Sequence, residues 1–273
     1  MKKDLLGMSV TTGSYRQFVE YIYDLAREGK SSYVCVANVH MLMEANKDAD
    51  FARVVNNADI VTPDGMPLVK SLKLLYGIEQ SRVAGMDLLP DLLNHALVNN
   101  LPVYFYGSTD LVLSRTVDYI DQHYPGLTIA GTCSPPFRML TEEEEEDVIQ
   151  NINNSGAKIV FVALGCPKQE NWMASMKGHI HACMIGIGGA LPVLAGLQKR
   201  APQWMQKTCL EWLFRLKQEP RRLFKRYAIT NVVFLYLLMK SWLSIKLNSD
   251  TGSVYLGLDP VYDTAFNVSA GNL

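Results

Sequence analysis

The chain alternates short apolar runs with longer stretches of helical period. Residues 32–38 (SYVCVAN) read as a buried strand, and 41–58 as one helix after it. Residues 59–63 (DIVTP) form a second short strand that stops at a Pro-Asp-Gly turn. The spacing predicts helices over 66–77 and 86–100, a strand over 101–107, a helix over 111–124 and a strand over 127–131. Thr141 and Glu144 stand at the spacing of a capping box, which starts a helix over 141–154. The run Glu142–Glu146 is then a solvated helix start that complements the helix dipole. Residues 157–165 (AKIVFVALG) are the clearest strand, a helix opens at Pro167, and 181–189 (HACMIGIGG) is the last strand. Strands apolar on both faces and separated by helices imply a mostly parallel sheet. The expected fold class is α/β: a Rossmann-like, mostly parallel sheet flanked by helices, complete by Gly196. From Ala201 onward the signal is helical only.

In open parallel sheets, ligands bind beyond the carboxyl ends of the strands. Asp64 follows the second strand, in a turn set by Pro63 and opened by Gly65. A carboxylate there is either a general base toward a hydroxyl nucleophile or the N-cap of the helix at Met66. Asn38, after the first strand, is likewise a substrate-holding amide or a cap. Lys168, Gln169 and Glu170 open a helix whose first amides suit a phosphate, with Lys168 adding charge. The alternative is a solvated helix start with Pro167 at its first position. Gly188 and Gly189 let the backbone approach a ligand or make a tight turn. Gly107, ending the third strand, joins them as a candidate substrate contact.

Charge changes the picture in the last quarter. Between Lys199 and Lys246 there are eleven Lys and Arg against two acids, Glu211 and Glu219, a formal +9 that leaves −10 for the rest of a chain of net −1. Arg221, Arg222, Lys225 and Arg226 run directly into AITNVVFLYLLM (228–239). Cations beside an apolar helix suit an anionic membrane surface or a lipid-linked phosphate. The 12-residue run falls short of the roughly 20 residues that span a bilayer, so a surface-lying or core-packed helix is expected. The organisation read from this is an α/β catalytic domain over 1–198, a cationic and apolar helical appendage over 199–247, and a loose polar tail over 248–273.

Several classes are excluded. GIGGAL has Leu191 where a dinucleotide fingerprint needs its third small residue. The chain has neither a Walker loop nor a GxSxG elbow. Five scattered cysteines without a CxxC favour free thiols in a reducing compartment. The segment MKKDLLGMSV lacks the apolar core and cleavage site of a signal peptide. The five histidines are dispersed, and Asp48-Ala49-Asp50 falls in a polar helical stretch, so no metal site is expected. The basic cluster lacks an interleaved stacking surface, which argues against nucleic acid.

The stretches VANVHMLMEA, ADIVTPDGMPLV, RVAGMDLL, VALGCPKQENWM, GIGGALPVLAGLQKRAPQWMQ and LEWLFRLKQEPRRLFKRY, in order over roughly residues 33–227, resemble the WecG/TagA/CpsF glycosyltransferase family. The resemblance implies an inverting, metal-independent transfer from a UDP-sugar to a polyprenyl-diphosphate-linked sugar, with no cofactor. The usual reaction adds N-acetylmannosamine to undecaprenyl-diphosphate N-acetylglucosamine. Asp64 falls on the general-base position and Asn38, Arg82 and Gln169 on polar pocket positions. The helices from Glu211 onward match a membrane-contacting appendage, in which Arg215, Arg221, Arg222 and Arg226 are candidates for the lipid diphosphate. An anionic membrane surface on the cytoplasmic side is implied as a partner; a homo-oligomer is left open. Val36 stands where many relatives have threonine, and Leu191-Pro192-Val193 where many have Phe-Asp-Phe. The alternative reading is a catalytically silent UDP-sugar-binding subunit of a polysaccharide assembly complex.

Overall fold

A computed structural model of the chain describes residues 1–249, apart from the side chains of Arg222, Asn248 and Ser249. Beyond residue 249, the tail expected over 248–273 lies outside the described residues.

The chain opens with elements that the apolar pattern did not announce. Strands β1 (Lys2–Leu5) and β2 (Met8–Thr11) pair antiparallel about a Leu6-Gly7 turn, and α1 (Tyr15–Glu28) follows. The helix start carried a legible signal: Ser14 and Gln17 form a reciprocal capping box. The hairpin lies against the sheet edge, where Thr11 Oγ1 accepts from the Val61 amide at 3.1 Å.

The main sheet consists of β3 (Ser32–Ala37), β4 (Ile60–Pro63), β5 (Val103–Gly107), β6 (Ile129–Cys133), β7 (Ile159–Ala163) and β8 (Cys183–Gly186). Their order is β4-β3-β8-β7-β5-β6, and every neighbouring pair is parallel. Each strand falls inside or beside a predicted apolar run. One face buries Tyr33, Cys35, Val160, Val162 and Met184; the other buries Val34, Val36, Phe105, Phe161 and Ile185. Phe105 and Phe161 stack across neighbouring strands with centroids 5.4 Å apart. Burial of each such large side chain contributes about 1.5–3 kcal/mol, which is why both faces need helices over them.

Those helices are α2 (Val39–Lys47), α3 (Ala49–Asn56), α4 (Met66–Tyr76), α5 (Gly85–Val98), α6 (Asp110–His123), α7 (Glu142–Asn154), α8 (Lys168–Met176) and α9 (Ala190–Leu194). The single helix expected over 41–58 is broken. Asp48 ends α2 and caps α3, its Oδ1 accepting from the amides of Asp50 at 2.9 Å and Phe51 at 3.2 Å. Asp50 pairs with Arg53, so the Asp-Ala-Asp sequence is an exposed cap. Thr141 and Glu144 form the expected capping box of α7.

The appendage is α10 (Gln203–Lys207), α11 (Glu211–Gln218) and α12 (Pro220–Ser249). At about 1.5 Å per residue, α12 is roughly 45 Å long. Its segment Leu223–Leu247 extends well beyond the apolar run at 228–239 and is long and apolar enough to cross a membrane by length and composition. The cations Lys225, Arg226, Lys240 and Lys246 punctuate the apolar pattern without ending the helix. One face of α12, carrying Leu223, Thr230, Phe234 and Ser241, is buried, and the helix packs on α2 and α4. The opposite face exposes Val232, Leu235, Tyr236, Met239, Leu243 and Leu247 at helical spacing.

Candidate active site

Because all six strands of the main sheet run the same way, their carboxyl-end loops gather on one edge. β3 is flanked by its successor β4 on one side and by β8 on the other, so a crevice opens where the chain changes direction. A cavity of about 530 Å³ occupies it. The sheet side supplies Asn38, Asp64, Arg82, Gln169, Gly188 and Gly189; α11 and the start of α12 roof it with Glu211, Arg215 and Arg226.

Asp64 does not cap α4. The N-cap is Gly65, without a side-chain cap bond, and the Asp64 amide is tied to the Ala37 carbonyl at 2.8 Å. The carboxylate is thereby left to the cavity. Burial and the nearby Glu211 carboxylate push it up to about 7, against the opposing pull of Arg215 and Arg82. That value suits a group that takes up a proton near neutral pH. Arg82, largely buried, donates to Glu211 at 3.2 Å, Asp87 at 3.3 Å and Gln206 at 3.1 Å.

Asn38 caps α2, its Oδ1 accepting from His40 and Met41 amides at 3.0 and 3.2 Å. The cap and the cavity position coexist: the carbonyl oxygen serves the helix, and the amide nitrogen remains for a ligand. Gln169 is buried on the cavity floor, accepting from the Gly165 amide at 3.2 Å and donating to Glu170 at 2.7 Å. Gly186 makes room for it, since a Cβ there would meet Gln169 Nε2 at 2.9 Å.

Other expected contacts sit elsewhere. Lys168 is exposed and does not line the cavity, and the Gln169 amide already donates to the Gly165 carbonyl at 2.9 Å. The Gln169 amide of the α8 start is thus committed within its own turn, and the Lys168 side chain stands away from the cavity. Glu170 is fully buried beneath the lining, where it holds Gln169 in place, and burial pushes its carboxyl up. Gly107 is also outside the lining; its φ of +104° and a Cβ position 2.7 Å from the Ala163 carbonyl carbon show a backbone crossing that only glycine permits. Its neighbour Ser108 lines the cavity instead.

The four appendage arginines also separate. Arg215 lies over Gly189 and acts on Asp64, and Arg226 lines the cavity and acts on His40. Arg221 is exposed and outside the lining, and the side chain of Arg222 lies outside the described residues. Sequence reasoning passed over His40, Gln206 and Glu211 as site residues. Glu211 carried a faint signal, as one of two acids in a strongly cationic segment. The departures from the family pattern reach the cavity: Val36, Pro192 and Val193 line it, whereas Leu191 is buried.

Comparison with known proteins agrees with this layout. The model of the glycosyl transferase WecG/TagA/CpsF family matches residues 3–248. A Bacillus spizizenii protein named N-acetylglucosaminyldiphosphoundecaprenol N-acetyl-beta-D-mannosaminyltransferase is 32% identical over 208 residues, 76% of this chain and 79% of that one. A protein of the same name from Staphylococcus aureus strain MW2 is 27% identical over 248 residues, 90% of this chain and 95% of its own length. Since the match runs through the α/β body and on into the appendage that roofs the cavity, the chain belongs to the WecG/TagA/CpsF family of glycosyl transferases.

Proposed function

We propose that the protein transfers N-acetylmannosamine, with inversion, from its UDP-sugar to N-acetylglucosamine on undecaprenyl diphosphate. The observation that carries this reading is Asp64: a carboxylate pushed up to about 7, uncommitted to a cap, facing a cavity lined by three guanidiniums. Asp64 takes the proton from the acceptor hydroxyl as its oxygen bonds to the anomeric carbon. The bond from that carbon to the UDP oxygen breaks on the opposite face, and UDP leaves with the electron pair. Asn38 and Gln169 contact the sugars through their amides.

Arg82, Arg215 and Arg226 offset diphosphate charge, as paired guanidinium hydrogen bonds to phosphate do well. These guanidiniums favour a metal-independent reaction, because they supply the positive charge that a divalent cation would otherwise bring to the leaving diphosphate. The exposed apolar face of α12, beside Lys225 and Arg221, suits a helix lying in an anionic membrane surface on the cytoplasmic side, where the lipid-linked acceptor is held.

A donor screen with synthetic prenyl-diphosphate N-acetylglucosamine, reading UDP release and product mass, tests the reading. UDP-N-acetylmannosamine is expected to give a product heavier by one N-acetylhexosamine residue, unaffected by EDTA. Turnover with a different donor alone would move the substrate assignment. Activity lost to chelation and restored by magnesium or manganese would overturn metal independence.

A further inference from the structure

Glu211 stands where the appendage meets the α/β body, and its two carboxylate oxygens are divided between them. Oε2 accepts from Arg82 of the body at 3.2 Å, and Oε1 accepts from Arg215, one turn further along α11, at 3.0 Å. The network continues on the body side. Arg82 reaches Asp87, Arg200 pairs with the other Asp87 oxygen, and both arginines donate to Gln206 of α10 at 3.1 Å. Arg82 is 13% exposed and Glu211 22%, so the pair is shielded from the screening that weakens surface ion pairs.

We infer that Glu211 is a positioning residue: a carboxylate clasp that holds α11 over the cavity and sets the guanidiniums of Arg82 and Arg215 around Asp64. Cations alone cannot do this. Arg82 and Arg215 converge on one site and would repel each other without an anion between them. The clasp explains why an acid interrupts a segment selected for positive charge, and why it falls four residues before Arg215 on the same helix face. The inference rests on the proposed role of Asp64 in one respect only, the pH dependence of turnover. The charged groups acting on Asp64 are Glu211 and Arg215 from α11, Arg82 from the segment before α5, and Asp87 from α5. Removing the Glu211 charge takes away a negative neighbour, so Asp64 ionises at lower pH.

The test uses the full-length protein with Glu211→Gln, Arg82→Gln and both together, followed by hydrogen exchange of the α11 amides and by kcat/KM against pH. Glu211→Gln is expected to speed α11 exchange about fivefold, the scale of one shielded ion pair. The double variant should exchange little faster than the single one, because both remove the same link. The acid limb of kcat/KM should move to lower pH by roughly half a unit or more. A merely structural residue would not move that limb. Glu211→Asp guards against misfolding of the Gln variant: it keeps the charge but shortens the reach, so α11 should loosen here too. Wild-type exchange of α11 in both Glu211 variants, or additive effects of the two Gln substitutions, would overturn the clasp. A wild-type profile without a limb near neutrality would count against Asp64 as base, and the exchange data alone would then decide the clasp.

Discussion

At the scale of single residues, the site depends on what each backbone position leaves its side chain free to do. Asp64 follows β4, its amide is held by the Ala37 carbonyl of neighbouring β3, and Gly65 takes the cap position of α4. Asp64→Asn should therefore lower kcat by about 10²- to 10⁴-fold while donor binding and thermal stability change little. Turnover within about threefold of wild type would remove Asp64 from the chemistry and favour a silent sugar-binding subunit. The sign of the pH dependence follows from the same group. Only ionised Asp64 accepts a proton, so kcat/KM should rise with pH up to about 7 and level off above it. Gly107 behaves in the opposite way. It lies outside the cavity lining, and a Cβ would press on the Ala163 backbone at positive φ. Gly107→Ala should cost about 2 kcal/mol or more in denaturant unfolding, with KM for the donor little changed in the folded fraction.

At the scale of elements, α12 is the part with two roles on two faces. Phe234 points into the body and is 4% exposed, whereas Tyr236 and Met239 face outward at 59% and 60%. Phe234→Ala should destabilise the fold by about 3–5 kcal/mol, as for a large core aromatic. Serine at Val232, Tyr236 and Met239 together should leave stability near wild type and weaken partition onto vesicles, since each buried methylene is worth about 0.8 kcal/mol. Flotation and thermal melts of the two variants separate these effects. Equal vesicle binding by the triple variant and wild type would show that the outer face meets something other than lipid. The same helix shows why elements are harder to bound than to detect. The apolar centre at 228–239 is plain in the sequence, but its flanking cations are helical too, and only the chain's path shows that they continue one rod.

At the scale of the whole molecule, opposite charges are divided between an acidic body and a cationic appendage, and they meet at the cavity roof. Binding to anionic vesicles should fall as salt rises through the range where the Debye length shrinks below about 10 Å. Arg221→Glu should reduce it further, because each basic residue near such a surface contributes about 1 kcal/mol and reversal adds repulsion. Arg221 is exposed and outside the cavity lining, so single-turnover rates on a short-chain soluble acceptor should be unchanged. A loss of soluble-acceptor turnover in that variant would place Arg221 in the site after all.

The sequence by itself determined the parallel sheet, because continuously apolar strands between helices have few other ways to bury both faces. It also determined the capping box at Thr141, which follows from local spacing, and it marked the strand-end loops that border the cavity. The hairpin at 2–11 escaped because four-residue strands give too few alternations to register, and the break at Asp48 because a cap and a helical aspartate look alike in one dimension. Only the tertiary structure decided which loop residues face the cavity. Lys168, Gln169 and Glu170 are consecutive, yet one is exposed, one lines the cavity and one lies buried beneath it. Helical geometry turns neighbours about 100° apart, and where that turn points depends on contacts with distant glycines such as Gly186. The pairing of Glu211 with Arg82, 129 positions apart, is likewise invisible along the chain, because it exists only once α11 has folded back over the sheet.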